Sequence, residues 1–160
     1  MSKNTVLILG SAGMLGVEVL KQFASKPEIS LHATYRKKKD LEKIKKIIGK
    51  KFFTIKWHKF EIIGKYEAKL IKILKKKDLI INCIGIIKPY INDKDYFSIQ
   101  NAININSLFP YLLSKSCPKK SKIFQIATDC VYDGKQGNYS ELDGHNAEDI
   151  YGKSKSLGEV

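Results

Sequence analysis

The segment Gly10-Ser-Ala-Gly13-Met-Leu-Gly16 constrains this chain more than any other. It lies between the aliphatic run Thr5 to Leu9 and a stretch, Met14 to Ala24, with Leu15, Val19, Leu20 and Phe23 at helical spacing. A buried strand that turns through glycines into a helix opens a βαβ unit. Gly10 permits the tight turn. Gly13 removes a side chain where a pyrophosphate would approach the helix N-terminus, and Gly16 lets the helix pack closely on the sheet. Ser11, Met14 and Leu15 complete the candidate cofactor cradle. The alternative is a purely structural turn, since turns and helix contacts use glycine for their own reasons.

The rest of the chain repeats the alternation. Pro27 stops the first helix. Residues 29–35 alternate and predict strand two, and Leu41, Ile44, Ile47 and Ile48 form a helical stripe ending before Gly49. Phe52 to Trp57 predicts strand three, Tyr66 to Leu74 a helix, and Leu79 to Ile84 strand four. Strand four is nearly all apolar, as suits a strand covered on both faces. Tyr96 to Cys117 is mostly helical, with Pro110 as a kink or a helix start. Ile123 to Thr128 predicts strand five, Gly134 to Asp149 a polar loop, and Tyr151 to Val160 the beginning of a last helix. Five strands alternating with helices give the α/β class and a Rossmann-type doubly wound parallel sheet. Right-handed crossovers give the order 3-2-1-4-5.

Several classes are excluded. The longest apolar stretch, Leu79 to Ile87, has nine residues and contains Asn82 and Gly85, too short for a membrane span. The start of the chain does not have the pattern of a signal peptide. Cys83, Cys117 and Cys130 form no CxxC and cannot all pair, so neither a disulfide scaffold nor a zinc ribbon fits. His32, His58 and His145 show no metal-ligand spacing and read as incidental. A cytoplasmic protein with reduced thiols, no resident metal and no membrane partner is expected.

The formal charge of +13 resembles a nucleic-acid signal, yet 28 of the 29 basic residues are lysine. Readers of bases and phosphates draw on the bidentate fork of arginine. With 22 isoleucines beside the lysines, a general compositional bias and a solvated surface explain the charge, and no nucleic-acid partner is expected. The charge is uneven: residues 1–127 carry 26 basic and 9 acidic side chains, residues 128–160 carry 3 and 7. A positive half would speed the arrival of a phosphate-bearing ligand.

The GxxGxxG spacing resembles the short-chain dehydrogenase/reductase superfamily, its extended branch in particular. In such folds strand two ends beside the adenosine ribose, where a basic residue accepts a 2′-phosphate. Arg36, the only arginine, follows Tyr35 there, which favours NADP(H) over NAD. The alternative is one more basic surface residue in a lysine-rich stretch. By the same resemblance, Glu61 after strand three lies near the adenine, or is simply at the surface.

Tyr151 and Lys155 are four residues apart and share a helical face. A lysine cation near a phenol lowers its pKa, so tyrosine can donate a proton near neutral pH. The Thr128 hydroxyl at the end of strand five can hydrogen-bond the same substrate oxygen. The alternative for Tyr151 is an aromatic at a helix start.

Three stretches carry a closer resemblance: Thr128-Asp-Cys-Val-Tyr-Asp-Gly134, Gly137-Asn-Tyr-Ser-Glu141 and Tyr151-Gly-Lys-Ser-Lys-Ser-Leu-Gly-Glu159. Together with Asn82-Cys-Ile-Gly85 and Asn104-Ile-Asn106-Ser-Leu-Phe-Pro110, they resemble the dTDP-4-dehydrorhamnose reductase family of nucleotide-sugar reductases. The resemblance implies that Cys83, Ile84 and Gly85 line the cofactor cleft and that Asn106 supports it. It implies Thr128, Tyr151 and Lys155 as the catalytic set, with Lys155 also reaching the nicotinamide ribose. Related 4,6-dehydratases carry a glutamate where this chain has Cys130. Reduction of a ketone needs only a hydride and a proton, so Cys130 fits a reductase and is expected to be an inert, partly buried thiol.

Members of that family continue well beyond residue 160, into a smaller region that holds the sugar nucleotide. The expectation is therefore one NADP-binding Rossmann domain over residues 1–160, incomplete at its C-terminus and without the substrate-binding region. Such a chain is a fragment of a longer reductase, a subunit whose missing half another chain supplies, or a trimmed cofactor-binding module; a homodimer is a further option. The expected activity is NADPH-dependent reduction of a nucleotide-linked 4-keto-6-deoxy sugar. The alternatives are a non-catalytic NADP-binding regulatory module, as in the methionine adenosyltransferase regulatory subunit that resembles the same family, and a nucleotide-sugar epimerase.

Overall fold

The computed structural model describes residues 3–159 and divides into two compact units. Among the described residues, the first comprises residues 3–84 and 113–126, the second residues 85–112 and 127–159.

The first unit holds the whole sheet. Its strands are β1 (Asn4–Leu9), β2 (Ile29–Tyr35), β3 (Lys56–Lys59), β4 (Leu79–Asn82) and β5 (Lys122–Gln125). All pairings are parallel and the order is β3-β2-β1-β4-β5, as the alternation predicts. The helices α1 (Met14–Ala24), α2 (Lys38–Ile48) and α3 (Glu67–Leu74) are crossovers between its strands. Successive side chains of a strand point to opposite faces. Val6 and Ile8 of β1 pack with Val17 and Leu20 of α1 and Ile44 of α2. Leu7 and Leu9, on the other face, are equally buried, so the central strand is covered on both sides.

Three expected strands shift their bounds. Residues 49–54 form a 3-10 turn, and the third strand begins only at Lys56. Phe52 stacks on Trp57 at 4.9 Å and accepts the indole N–H at its carbonyl, 3.2 Å, which folds the apolar run back on itself. Strand four stops at Asn82 and strand five at Gln125, facing partners whose side chains hydrogen-bond at 2.8 Å. Asn82 Oδ1 also accepts the Ile84 N–H, which ends the ladder there.

The second unit contains α4 (Tyr96–Ile103), a π-helical turn at residues 104–108, the first half of α5 (Phe109–Ser116), and α6 (Ile150–Leu157). Pro110 lies at the second position of α5, the helix-start option, and the chain does not break there. It has no N–H for the carbonyl four residues back. The widened turn absorbs the defect, and Phe109 N–H reaches the carbonyl of Asn104. Residues 134–149 form a loop, as expected. Tyr132 stacks on Tyr139 at 4.5 Å, and the Tyr139 hydroxyl donates to Asp133 at 2.5 Å. No helix among the described residues is long and apolar enough to cross a membrane.

Candidate functional site

In the first unit the glycine loop follows β1. Gly10 has φ +76°, a left-handed conformation that favours glycine. Its N–H donates to Thr34 Oγ1 at 2.9 Å, and the buried Ser11 hydroxyl donates to the Thr34 carbonyl at 2.7 Å. Thr34 on β2 thus clamps the loop, a role the sequence reading missed; in the sequence it is only one of the polar residues of an alternating strand, with Ser30 and His32. The three glycines are not equivalent. A Cβ on Gly10 would meet the Cys83 carbonyl at 3.0 Å, and one on Gly16 would collide with the Gly10 carbonyl. A Cβ on Gly13 would find nothing closer than the Gly10 oxygen at 3.4 Å. Gly13 has φ −73° and ψ 166°, which any residue adopts, and it is exposed at the N-terminus of α1. Neither packing nor backbone strain requires a glycine here, so the open space fits a group bound against the helix N-terminus. Met14 and Leu15, in the first helical turn, are exposed.

Cys83 and Ile84 follow β4, beside Gly10. Burial pushes the Cys83 thiol up to about 11, so it is an unreactive wall of the loop. Arg36 is exposed at the end of β2. Glu61 is half-buried after β3, next to Phe60, whose N–H donates to the Tyr35 carbonyl at the end of β2 at 2.9 Å.

In the second unit, Thr128 caps a short turn at Asp129–Val131 by accepting the Cys130 N–H at 3.3 Å. Gly152 of α6 packs so closely on this turn that a Cβ would collide with the Cys130 carbonyl. The helix carrying Tyr151 and Lys155 is thereby held against the Thr128 turn. Asp149 caps α6 by accepting the Gly152 N–H at 2.8 Å, and pairs with Lys88 at 2.7 Å. The hydrogen bond from Lys88 holds the Asp149 carboxyl below its ordinary range. Lys155 is 7% exposed, and burial lowers its pKa while Glu159 opposes the shift.

Asn106 lies in the π-turn and is 2% exposed. Its side chain accepts the Ile86 N–H and donates to the Ile86 carbonyl, both at 2.9 Å, and donates to Ser154 Oγ at 3.1 Å. Ser107 donates to the Ser154 carbonyl at 2.7 Å. Gly158 packs against the Asn106 carbonyl, the oxygen that Pro110 cannot satisfy. Gly85 lies beside Asn106 Oδ1, which a Cβ there would approach to 3.6 Å. Asn106 therefore ties the segment after β4 to α6.

Two readings need correction. Cys130 is exposed, not partly buried: its backbone is engaged, the N–H by Thr128 and the carbonyl against Gly152, while the residue stays open to solvent. His32 and His58 are not incidental. The β2–β3 register brings His32 Nδ1 to 2.9 Å from His58 Nε2, with the rings stacked. Burial, helped by nearby Lys77, pushes His32 down to about 4. No group of three or more His, Cys, Asp or Glu among the described residues could hold a metal ion.

The sequence pattern of the RmlD substrate binding domain family matches residues 4–160. The chain belongs to that family. It is 32% identical over 111 residues to dTDP-4-dehydrorhamnose reductase of Aggregatibacter actinomycetemcomitans, covering 60% of this chain and 38% of the relative. It is 26% identical over 154 residues to methionine adenosyltransferase 2 subunit beta of Danio rerio, covering 96% of this chain and 42% of the relative. Among solved structures, a hypothetical dTDP-4-dehydrorhamnose reductase from Sulfolobus tokodaii matches 97% of this chain and 50% of its own, at 28% identity and a TM-score of 0.71. UDP-glucuronic acid 4-epimerase from Bacillus cereus, in complex with UDP-glucuronic acid and NAD, matches 97% of this chain and 50% of its own at a TM-score of 0.78; at 19% identity this likeness shows the fold. The chain spans about two fifths of the length of the curated relatives it matches.

Proposed function

We propose that residues 1–160 form the NADP-binding part of a reductase acting on a nucleotide-linked 4-keto-6-deoxy sugar. What supports this reading is the close packing of Gly152, on the helix that carries Tyr151 and the buried Lys155, against the turn that Thr128 caps. The similarity to a dTDP-4-dehydrorhamnose reductase supports the substrate class.

A bound nicotinamide cofactor supplies the hydride that forms the new C–H bond at the carbonyl carbon. Gly10, Ser11, Gly13, Met14, Leu15 and Gly16 receive its pyrophosphate against the N–H groups that open α1. Arg36 takes the 2′-phosphate as a charged fork. Cys83, Ile84 and Gly85 wall the cleft, Asn106 fixes the last of these segments, and Glu61 lies toward the adenine. Thr128 orients the carbonyl oxygen by a hydrogen bond. Tyr151 gives that oxygen its proton, and the Lys155 cation stabilises the tyrosinate left behind and holds the ribose hydroxyls. Two electrons and one proton are then accounted for, and the product is the alcohol.

A second reading, a non-catalytic NADP-binding partner module, is favoured by the match to methionine adenosyltransferase 2 subunit beta over 96% of the chain. The discriminating experiment follows NADPH oxidation with dTDP-4-keto-6-deoxyhexoses. The protein is this chain extended by the C-terminal region of a homologous reductase, with and without Tyr151→Phe. Turnover that falls about 10²- to 10⁴-fold in the variant supports the reductase. NADPH binding with no turnover in the unmodified extended protein supports the partner module.

A further inference from the structure

Residues 36–51 carry nine basic and two acidic side chains, about half of the chain's net charge in a tenth of its length. Arg36 belongs to the proposed cofactor site. The others lie on α2 and the turn after it, and every lysine from 37 to 51 is exposed. The helix buries one narrow stripe, with Ile44 fully inside and Leu41 and Ile48 beside it. Lys39, Lys43 and Lys46 recur at helical spacing on the opposite side, and Lys50 extends the row into the turn.

Two apolar side chains stand exposed within this row. Ile47 is 40% exposed and Phe53 71%. Phe52 is anchored by its stack on Trp57, and Phe53 meets Phe52 edge-on at 5.6 Å, so Phe53 is held outward rather than tucked away. Lys45 Nζ lies 5.0 Å from the Phe53 ring centroid. A row of lysines around outward apolar tips is the pattern of a helix that lies on an anionic bilayer: the tips sink into the headgroup boundary and the lysine stems snorkel to the phosphates.

We propose that the outer face of α2 and its following turn dock this protein on the surface of a membrane rich in anionic phospholipid. The attachment is peripheral and needs no spanning helix. Nucleic acid fits less well, because this face offers lysines rather than the arginine forks that read bases, and phosphate contacts leave Phe53 and Ile47 without a role.

The test is co-sedimentation of the full chain with phosphatidylcholine vesicles, with and without phosphatidylglycerol, over a range of salt. Binding is expected only with phosphatidylglycerol, and it weakens as salt rises. Each lysine at such a surface is worth roughly fivefold in affinity, so Lys39→Gln/Lys43→Gln/Lys46→Gln together should lose roughly a hundredfold. Phe53→Ser should weaken binding at every salt concentration without changing its salt dependence. The pair Lys119→Gln/Lys120→Gln, exposed lysines elsewhere, should bind as the unmodified chain does. All substituted side chains are exposed, and far-ultraviolet circular dichroism checks folding. The proposal is overturned by equal binding to both vesicle types or none, by a control pair as damaging as the triple variant, by a silent Phe53→Ser, or by tighter binding to a duplex oligonucleotide than to the anionic vesicles.

Discussion

Gly16→Ala should destabilise the fold, and Gly13→Ala should not, although the two glycines are three residues apart in one loop. The added methyl at Gly16 would lie 2.9 Å from the carbonyl carbon of Gly10 and from the Cα of Ser11, and closer still to the Gly10 oxygen. All three are backbone atoms, and Gly10 and Ser11 are themselves tied to Thr34. Overpacking costs about 1–3 kcal/mol, and a rigid backbone neighbour puts this case near the top, at about 3. Alanine recovers about 1 kcal/mol through its helix propensity in the first turn of α1. The expected net loss is about 2 kcal/mol. At Gly13 the nearest atom is 3.4 Å away and the backbone suits any residue, so only the weaker N-cap of alanine counts, about 0.5 kcal/mol. Urea unfolding followed by the fluorescence of Trp57, the single tryptophan, measures both. Equal midpoints for the two variants would refute the assignment of Gly16 to packing and of Gly13 to an outside ligand.

The His32–His58 pair predicts acid sensitivity. His32 is pushed from 6.5 down to about 4. The unfolded chain therefore binds more protons between those values, and stability present above pH 6.5 is lost as the pH falls toward 4. His58 is lowered by burial as well, so it adds to the loss in the same direction, and His32→Gln should reduce the dependence in urea titrations run across that range. Asn106→Ala strips the half-buried Ile86 N–H and carbonyl of their side-chain partner and should cost about 1–2 kcal/mol, with faster amide exchange in α6 than in β1.

The sheet order and nearly every element could be read from the chain, because aliphatic runs such as Thr5 to Leu9 alternate with helical stripes and glycines or prolines punctuate them. The third strand shifted because hydrophobicity does not distinguish a strand from an aromatic turn. Phe52 looks like a strand residue until Trp57 is seen to stack on it. The glycine turn before α1 and the placement of Tyr151 and Lys155 on one helix could be read because both depend on local spacing. The clamp by Thr34, the network of Asn106 with Ser154, and the histidine pair were not visible. Each joins residues more than twenty positions apart, through a register that only the folded sheet or the packed helices define.

Calorimetric titration of the chain with NADPH and with NADH tests the central claim most directly. A charge-assisted fork from Arg36 to the 2′-phosphate is worth about 1.5–3 kcal/mol, roughly ten- to a hundredfold in affinity. NADPH should therefore bind more tightly than NADH by that factor, Arg36→Ala should remove most of the difference, and Gly13→Val should abolish binding of both while the chain stays folded. Equal affinities in the unmodified chain, or undiminished binding in the folded Gly13→Val variant, would contradict it.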